Sequence, residues 1–116
     1  KKNTRNFPSD EVFSLYKLAD IFLMPSIIES FGIVTIEAMA FGLPIIINDA
    51  PGNRDLVRNG KDGFIISGTS RSLAMAMENF LINENIRKKY KKKSISRAKK
   101  FDWSLIVDKY IDIYRQ

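Results

Sequence analysis

The sequence predicts an α/β fold in which a parallel sheet is covered by helices on both faces. Helical and strand-like patterns alternate along residues 10–66, which is typical of right-handed βαβ crossovers. Ile45, Ile46 and Ile47 stand in succession, and continuous β-branched runs mark strands that are buried on both faces. The absence of cysteine and histidine excludes a disulfide framework, a thiolate nucleophile and a Ser-His-Asp triad.

The first predicted elements are a helix at about 10–19 and a strand at 21–24. Ser9 is a suitable N-cap for the helix, whose apolar residues recur at helical spacing. The strand is a four-residue apolar run, short enough for a buried strand, and Pro25 ends it. Residues 4–7 are predicted to be the end of an earlier strand.

Residues 25–47 are the stretch around which the other elements are arranged. They are predicted to form, in order, a turn at 26–31, a helix at about 32–41 and a strand at 44–48. Between residues 31 and 47 only Thr35 and Glu37 are polar, and a helix that is apolar on nearly every side is a buried helix. The carboxylate of Glu37 therefore needs a partner or a function.

The remaining pattern predicts one helical turn, one strand and three helices. These lie, in order, at 54–58, at 64–66, at about 71–82 with Ser70 as N-cap, at about 85–99, and at 103–115 with Asp102 as N-cap. Only three strands are evident, about half of a doubly wound sheet, so we predict a Rossmann-like domain that is part of a larger protein.

The turn at 26–31 is predicted to lie at the carboxyl ends of the strands, where open α/β sheets bind ligands. The first N–H groups of the following helix, together with the helix dipole, form an anion site that suits a phosphate. These groups belong to Phe31, Gly32, Ile33 and Val34. Gly32 also lets a ligand approach the backbone closely.

Two acids flank this predicted anion site. Glu37 can accept hydrogen bonds from a vicinal diol, as the acid of a Rossmann fold does from a ribose, and Glu29 can hold a second hydroxylated group. A diphosphate between two polyols is the outline of a nucleotide-sugar. The alternative is structural, with Glu37 in a buried ion pair with Arg54 or Arg58, and Glu29 complementing the helix dipole.

Residues 25–66, PSIIESFGIVTIEAMAFGLPIIINDAPGNRDLVRNGKDGFII, carry the most specific pattern in the chain. This stretch resembles the donor-site signature of retaining glycosyltransferases of the GT-B fold, specifically the GT4-like group. Glu29 and Glu37 match the two acids of that signature, which seven residues separate. The stretches YKLADIFLMPS and FDWSLIVDKYIDIYR resemble the group's lead-in and closing helices, so the likeness covers nearly the whole chain.

The resemblance implies that the chain is a partial C-terminal half of a GT-B enzyme, the half that binds the nucleotide-sugar. It implies that Glu37 binds the ribose, and that Glu29, the candidate catalytic residue, contacts the donor sugar and places its anomeric carbon. The diphosphate is implied to lie on the amides of Phe31, Gly32 and Ile33, with Ser30 in the same site. Such enzymes retain the anomeric configuration and need no metal or other cofactor besides a UDP-, GDP- or other nucleotide-sugar donor.

This chain departs from the group in two respects. The group usually has a Gly-Gly loop followed by Glu, whereas this chain has APGN at 50–53 and then Asp55. The group's diphosphate-binding Arg and Lys, the first strands of its donor domain and its acceptor domain have no counterpart here. We therefore expect residues 1–116 to be one partial donor domain that binds a nucleoside diphosphate weakly and transfers no sugar alone. The full enzyme is expected to use a glycan or lipid-linked acceptor, in bacterial surface polysaccharide synthesis.

The net charge is +6, and much of the positive charge lies in residues 86–100. Such a run is most often a solvated helix face, but it also allows an alternative function as a non-catalytic module that binds anionic membrane or nucleic acid. Only Tyr90 is interleaved, so the run lacks a stacking platform and nucleic acid is not the expected partner. The sequence shows no secretory h-region and no apolar run near the ~20 residues that span a bilayer. We expect a cytoplasmic protein with a peripheral contact at the inner face of the cell membrane.

Overall fold

The structure, a computed structural model, describes residues 10–25 and 32–101. The predicted strand end at 4–7, the N-cap Ser9, the turn at 26–31 and the helix at 103–115 with its cap Asp102 lie outside the described residues. The elements are α1 (Asp10–Leu18), β1 (Phe22–Met24), α2 (Ile33–Ala40), β2 (Ile45–Asn48), α3 (Asn53–Leu56), β3 (Gly63–Ile66), α4 (Ser70–Ile82), α5 (Glu84–Ala98) and a short 3₁₀ helix (Lys99–Phe101).

The three described strands form one parallel sheet in the order β1-β2-β3. Ile45 of β2 lies beside Phe22 of β1 and beside Gly63 of β3, so β2 is the central strand. This arrangement confirms the predicted α/β fold with a parallel sheet. No helix in the described part of the chain is long and apolar enough to cross a membrane.

Alternate residues of β2 serve two separate hydrophobic cores, because successive side chains of a strand point to opposite faces. Ile45 and Ile47 pack on one face with Tyr16 and with buried residues of α2 and α3. Ile46 packs on the other face with Phe80 of α4 and with Tyr90 of α5. All four residues of β2 are buried, as the β-branched run predicts.

The prediction of a buried strand at residues 21–24 is wrong for β1. Leu23 is 37% exposed, and the other two residues of the strand are only half-buried. Among the described strands β1 has β2 as its one neighbour, so no described strand covers its far edge. An apolar run of four residues does not distinguish an edge strand from a central one.

The structure also corrects the boundary between the two helices on the second face. The N-cap of α4 is Thr69 rather than Ser70, and its side chain forms a capping box with Ser72. The break between these helices is shorter than predicted, because α5 begins at Glu84 rather than at about residue 85. Asn83 alone joins the helices, and its side chain accepts a hydrogen bond from the amide of Ile86.

Helix α5 crosses the amino-terminal ends of β2 and β3. The Tyr90 hydroxyl donates to the Gly60 carbonyl at 2.9 Å, and the Ser94 hydroxyl donates to the Leu43 carbonyl at 2.8 Å. Both carbonyls lie just before a strand begins. This end of the sheet is thus closed by α5, whereas the carboxyl ends of β1 and β2 face the start of α2.

A buried carboxylate fixes the turn that leads into β3. Asp62 is 2% exposed and accepts hydrogen bonds from the backbone and the guanidinium of Arg58 at 2.8–3.0 Å. The guanidinium of Arg97 in α5 lies 3.7 Å away. Burial opposes ionisation of Asp62, but the hydrogen bonds from Arg58 outweigh burial and hold the pKa of the carboxyl below its usual value.

Replacing this carboxylate tests its contribution to stability. Asp62→Asn is expected to lower the free energy of unfolding at pH 7 by about 2 kcal/mol, because the arginines lose a desolvated anionic partner. Since the pKa of Asp62 is lowered on folding, its contribution is present above the unfolded pKa and is lost as the pH falls below about 4. Urea unfolding at pH 7 and at pH 3 should therefore show a smaller difference between the two proteins at pH 3.

The matched control is Asp49→Asn. Asp49 pairs with Arg54 at 2.7 Å, but both side chains are exposed, so its removal is expected to cost less than about 0.5 kcal/mol. Equal losses from the two substitutions would contradict a structural role for the burial of Asp62.

Candidate functional site

The candidate site lies where β1 ends and α2 begins. Of the residues predicted to form it, Gly32, Ile33 and Glu37 are described, and the structure brings them together in the first two turns of α2. Glu29, Ser30 and Phe31 lie outside the described residues, so their proposed roles stay predictions.

The start of α2 has N–H groups that no described side chain satisfies. Gly32 is the N-cap residue and offers no side-chain hydrogen bond, and the first turn contains no acidic residue. The first N–H groups of a helix have no partner within the helix. With the helix dipole they attract an anion, so the described geometry has the donor groups that a phosphate needs.

Gly32 is required by packing as well as by any ligand. A Cβ atom at this position would lie 2.6 Å from the Cδ1 atom of Leu56 and 3.1 Å from the hydroxyl of Thr35. Leu56 is itself buried and belongs to α3. The sequence analysis explained this glycine by the approach of a ligand, and the structure adds the close contact between α2 and α3.

Glu37 is 7% exposed, and its partner is a tyrosine rather than an arginine. The Tyr16 hydroxyl donates a hydrogen bond to Oε1 of Glu37 at 2.9 Å. Arg54 and Arg58 instead bind Asp49 and Asp62. The alternative of a buried Glu37–arginine ion pair is therefore wrong, because each of these arginines has an aspartate nearer in sequence.

Tyr16 also shows the direction in which the Glu37 carboxylate points. Its hydroxyl oxygen lies 3.4 Å from the Val34 carbonyl as well as 2.9 Å from the carboxylate, so the carboxylate reaches back toward the first turn of α2. This follows the general tilt of helical side chains toward the N-terminus. Glu37 thus lies in the second turn of the helix whose first N–H groups form the predicted anion site.

Burial and the acceptor Glu37 both raise the pKa of Tyr16 above its ordinary value. The tyrosine consequently stays a hydrogen-bond donor across the neutral range. Its ring is held in place by stacking on Phe41, with ring centroids 4.9 Å apart. The polar role of Tyr16 was not predicted from the sequence, because it depends on a contact across 21 residues of the chain.

Three buried polar atoms near the carboxyl ends of the strands have no hydrogen-bond partner among the described residues. They are the side-chain oxygens of Thr35, Asn48 and Asn53. Asn53 also donates to the Asn48 carbonyl at 2.7 Å and thereby fixes the loop after β2. The sequence marked Thr35 as polar but assigned no role to it or to the two asparagines, because their burial depends on the packing of α2, β2 and α3. This edge of the sheet therefore has buried hydrogen-bond acceptors that no described residue satisfies.

The loop that departs from the predicted family pattern is anchored by its own polar groups. Gly52 adopts a positive φ of 92°, and the side chain of Arg54 binds Asp49. Asp55 is exposed, and its backbone carbonyl accepts a hydrogen bond from Arg97. The described contacts of Asp55 thus involve its backbone, and its side chain remains available.

A cavity of about 410 Å³ lies between α1, the α2–β2 connection and α5. Its lining mixes the cations Lys17, Arg87 and Lys91 with the acids Asp20 and Glu84. The first turn of α5 lines this cavity through Glu84 and Arg87, and Tyr16, the partner of Glu37, also lines it, but charges of both signs in the lining do not select for an anion. Among the described residues, no group of three acid side chains could hold a metal ion.

Comparison with known proteins relates this geometry to a family. The family described as "Glycosyl transferases group 1" matches residues 4–97. A phosphatidyl-myo-inositol mannosyltransferase of Mycobacterium leprae is 35% identical over 98 residues, which cover 83% of this chain and 26% of that protein. The chain spans about a quarter of the length of the curated relatives it matches.

Two solved structures share the fold. Sucrose-phosphate synthase from Thermosynechococcus elongatus matches with a TM-score of 0.82 and 29% identity, over 91% of this chain and 27% of that protein. HepE of Anabaena, solved in complex with UDP-glucose, matches with a TM-score of 0.83 and 24% identity, over 92% of this chain and 30% of that protein.

The hydrogen bond between Tyr16 and Glu37 can be tested by removing the hydroxyl. Tyr16→Phe is expected to lower the free energy of unfolding by about 1–3 kcal/mol, since it leaves a buried carboxylate without its donor. Tyr90→Phe is the matched control, because its acceptor is the carbonyl of the exposed Gly60, which water can reach. The control is expected to cost about 0.5–1 kcal/mol. Chemical denaturation that showed no larger loss for Tyr16→Phe would contradict the assigned contact.

Proposed function

Because the chain belongs to the glycosyl transferases group 1 family, we propose that it is the donor-binding part of a retaining glycosyltransferase. One observation carries this proposal: a buried carboxylate, Glu37, lies in the second turn of a helix whose first N–H groups have no described side-chain cap. A nucleotide-sugar has both a diol for the carboxylate and a diphosphate for the amides.

The proposed roles follow the order of groups in the donor. Glu37 accepts hydrogen bonds from the ribose hydroxyls. The amides of Phe31, Gly32 and Ile33 hold the diphosphate, and Ser30 lies in the same site. Glu29 contacts the hydroxyls of the donor sugar and places its anomeric carbon. The fit of Glu37 and Gly32 to the described geometry supports this arrangement.

The proposed reaction breaks the bond between the anomeric carbon and the diphosphate oxygen, and the diphosphate leaves with the electron pair. The acceptor hydroxyl attacks from the face that the diphosphate has left, so the configuration is retained. The departing phosphate oxygen takes the proton of the acceptor. In this proposal, backbone amides and basic side chains neutralise the diphosphate without a metal ion, which is consistent with a helix start that donates N–H groups.

We propose a UDP-, GDP- or other nucleotide-sugar as donor and a glycan or lipid-linked acceptor, in bacterial surface polysaccharide synthesis. The relative from Mycobacterium leprae is named for a lipid acceptor, and the HepE structure contains UDP-glucose, which supports these two classes. The proposed location is the cytoplasm, with a peripheral contact at the inner face of the cell membrane. The family match favours this function over a non-catalytic binding module.

The role of Glu37 is tested by titration calorimetry with UDP and GDP. Glu37→Gln keeps an oxygen that accepts the Tyr16 hydrogen bond, so the fold is expected to persist. The loss of the charged acceptor for the ribose hydroxyls is expected to weaken nucleotide binding at least about tenfold.

Glu78→Gln is the control for this experiment. Glu78 is an exposed acid on α4, and its substitution is expected to leave nucleotide affinity unchanged. Unchanged affinity in a folded Glu37→Gln protein would contradict the proposed role of this acid.

A further inference from the structure

The structure divides the basic run at residues 86–100 into inward and outward residues. Tyr90 and Ser94 are buried, while Arg87 and Arg97 donate to backbone carbonyls. The outward residues are lysines, and four of them fall on one face of α5 by helical spacing. They are Lys88, Lys89, Lys92 and Lys93, and with Asn85 they border one shallow, open groove. We refer to these four residues as the lysine face.

The lysine face is nearly free of compensating charge. Lys88 lies 3.7 Å from Glu84, and the other three lysines have no acidic partner among the described residues. The pairs Lys88–Lys92 and Lys89–Lys93 stand four residues apart, a spacing at which like charges repel along a helix. An anionic partner would relieve this repulsion.

Two large exposed apolar side chains end the helix that precedes this face in the sequence. Leu81 and Ile82 form the end of α4 and are 56% and 74% exposed. Only Asn83 separates them from α5, and Arg87 holds the two helices together by donating to the Phe80 and Leu81 carbonyls. Exposed apolar residues beside a basic helix face are typical of surfaces that bind the interface of a bilayer.

Helix α5 lacks an exposed aromatic ring on which a nucleic-acid base could stack. Tyr90 is the aromatic residue of α5, and it is 8% exposed and packed against Phe64 and Phe80. Bases of a single strand stack on exposed aromatic rings, which this face does not present. The observations therefore favour a lipid surface over a nucleic acid.

We propose that the lysine face, together with Leu81 and Ile82, binds the anionic headgroup surface of a lipid bilayer. The lysines contact the acidic headgroups, and the two apolar side chains enter the interface. The inference rests on the proposed location at the inner face of the membrane. Since α5 crosses the amino ends of the strands and the nucleotide site lies at their carboxyl ends, we expect both ligands to bind together.

The test is sedimentation of the purified protein with vesicles of phosphatidylcholine, with and without 30–40% phosphatidylglycerol, where this fraction is roughly that of an anionic leaflet. Binding to the acidic vesicles is expected to weaken with rising salt. The triple variant Lys89→Gln, Lys92→Gln, Lys93→Gln is expected to bind at least about thirtyfold more weakly. Leu81→Gln with Ile82→Gln is expected to weaken binding about tenfold.

A control variant removes the same number of charges elsewhere. Lys17, Lys61 and Arg71 are exposed and lie outside the lysine face, and their replacement by Gln is expected to change binding less than about threefold. Circular dichroism should show that the triple variant folds, since it removes repulsion and no described contact.

Three results would overturn the proposal: no binding to acidic vesicles, equal losses in the control and the triple variant, or tighter binding to an oligonucleotide than to vesicles. UDP titration of the same variants separates the two proposals. Loss of vesicle binding with retained UDP binding overturns the membrane surface alone. Retained vesicle binding in a protein that binds no nucleotide overturns the donor site alone.

Discussion

The arrangement of the first half of the domain depends on one constraint, which is that the carboxylate of Glu37 lies inside an apolar helix. A buried carboxylate without a donor is costly, and here the donor is Tyr16 of α1. The contact fixes where α1 lies on α2, and the stacking of Tyr16 on Phe41 reinforces that position. The same hydrogen bond holds the carboxylate in the second turn of α2, so it serves both the packing and the candidate site.

The two ends of the sheet differ in how fully their buried polar groups are hydrogen-bonded. At the amino ends, α5 closes the domain through Tyr90 and Ser94, which donate to backbone carbonyls just before β3 and β2, while Arg97 of the same helix donates to two carbonyls of α3. At the carboxyl ends, buried polar groups of Thr35, Asn48 and Asn53 stay unsatisfied among the described residues. The unsatisfied polar groups at the carboxyl ends are consistent with the ligand site proposed there.

Sequence patterns predicted most of the fold because they report local physics. The β-branched run of β2, the apolar helix α2 and the capping residues around α4 and α5 each act within a few residues, and the predicted bounds of those elements agree with the structure to within one or two residues. The N-cap Thr69 was not predicted, because threonine and serine are both favourable N-cap residues and Ser70 follows it directly. The burial of β1 was misjudged because it depends on how many strands lie beside it.

The partners of the charged residues were less predictable, because they depend on contacts between distant elements. The sequence singled out Glu37 correctly as a buried acid, but Tyr16 binds it across a separation of 21 residues. Arg58 was available to Glu37 by type, yet Asp62 lies only four residues away in the turn before β3 and binds it there. The resemblance to a family predicted where the site lies. The fold was needed to show which described polar groups there have no hydrogen-bond partner.

The central claim, that the start of α2 with Glu37 is a nucleotide-sugar site, is tested most directly by residue-specific NMR. Backbone amide shifts would be followed as UDP is added to the isotope-labelled protein. The account predicts that the largest shifts fall at residues 31–37 and saturate together. Shifts centred on α5 or on the cavity between α1 and α5, with residues 31–37 unmoved, would contradict it.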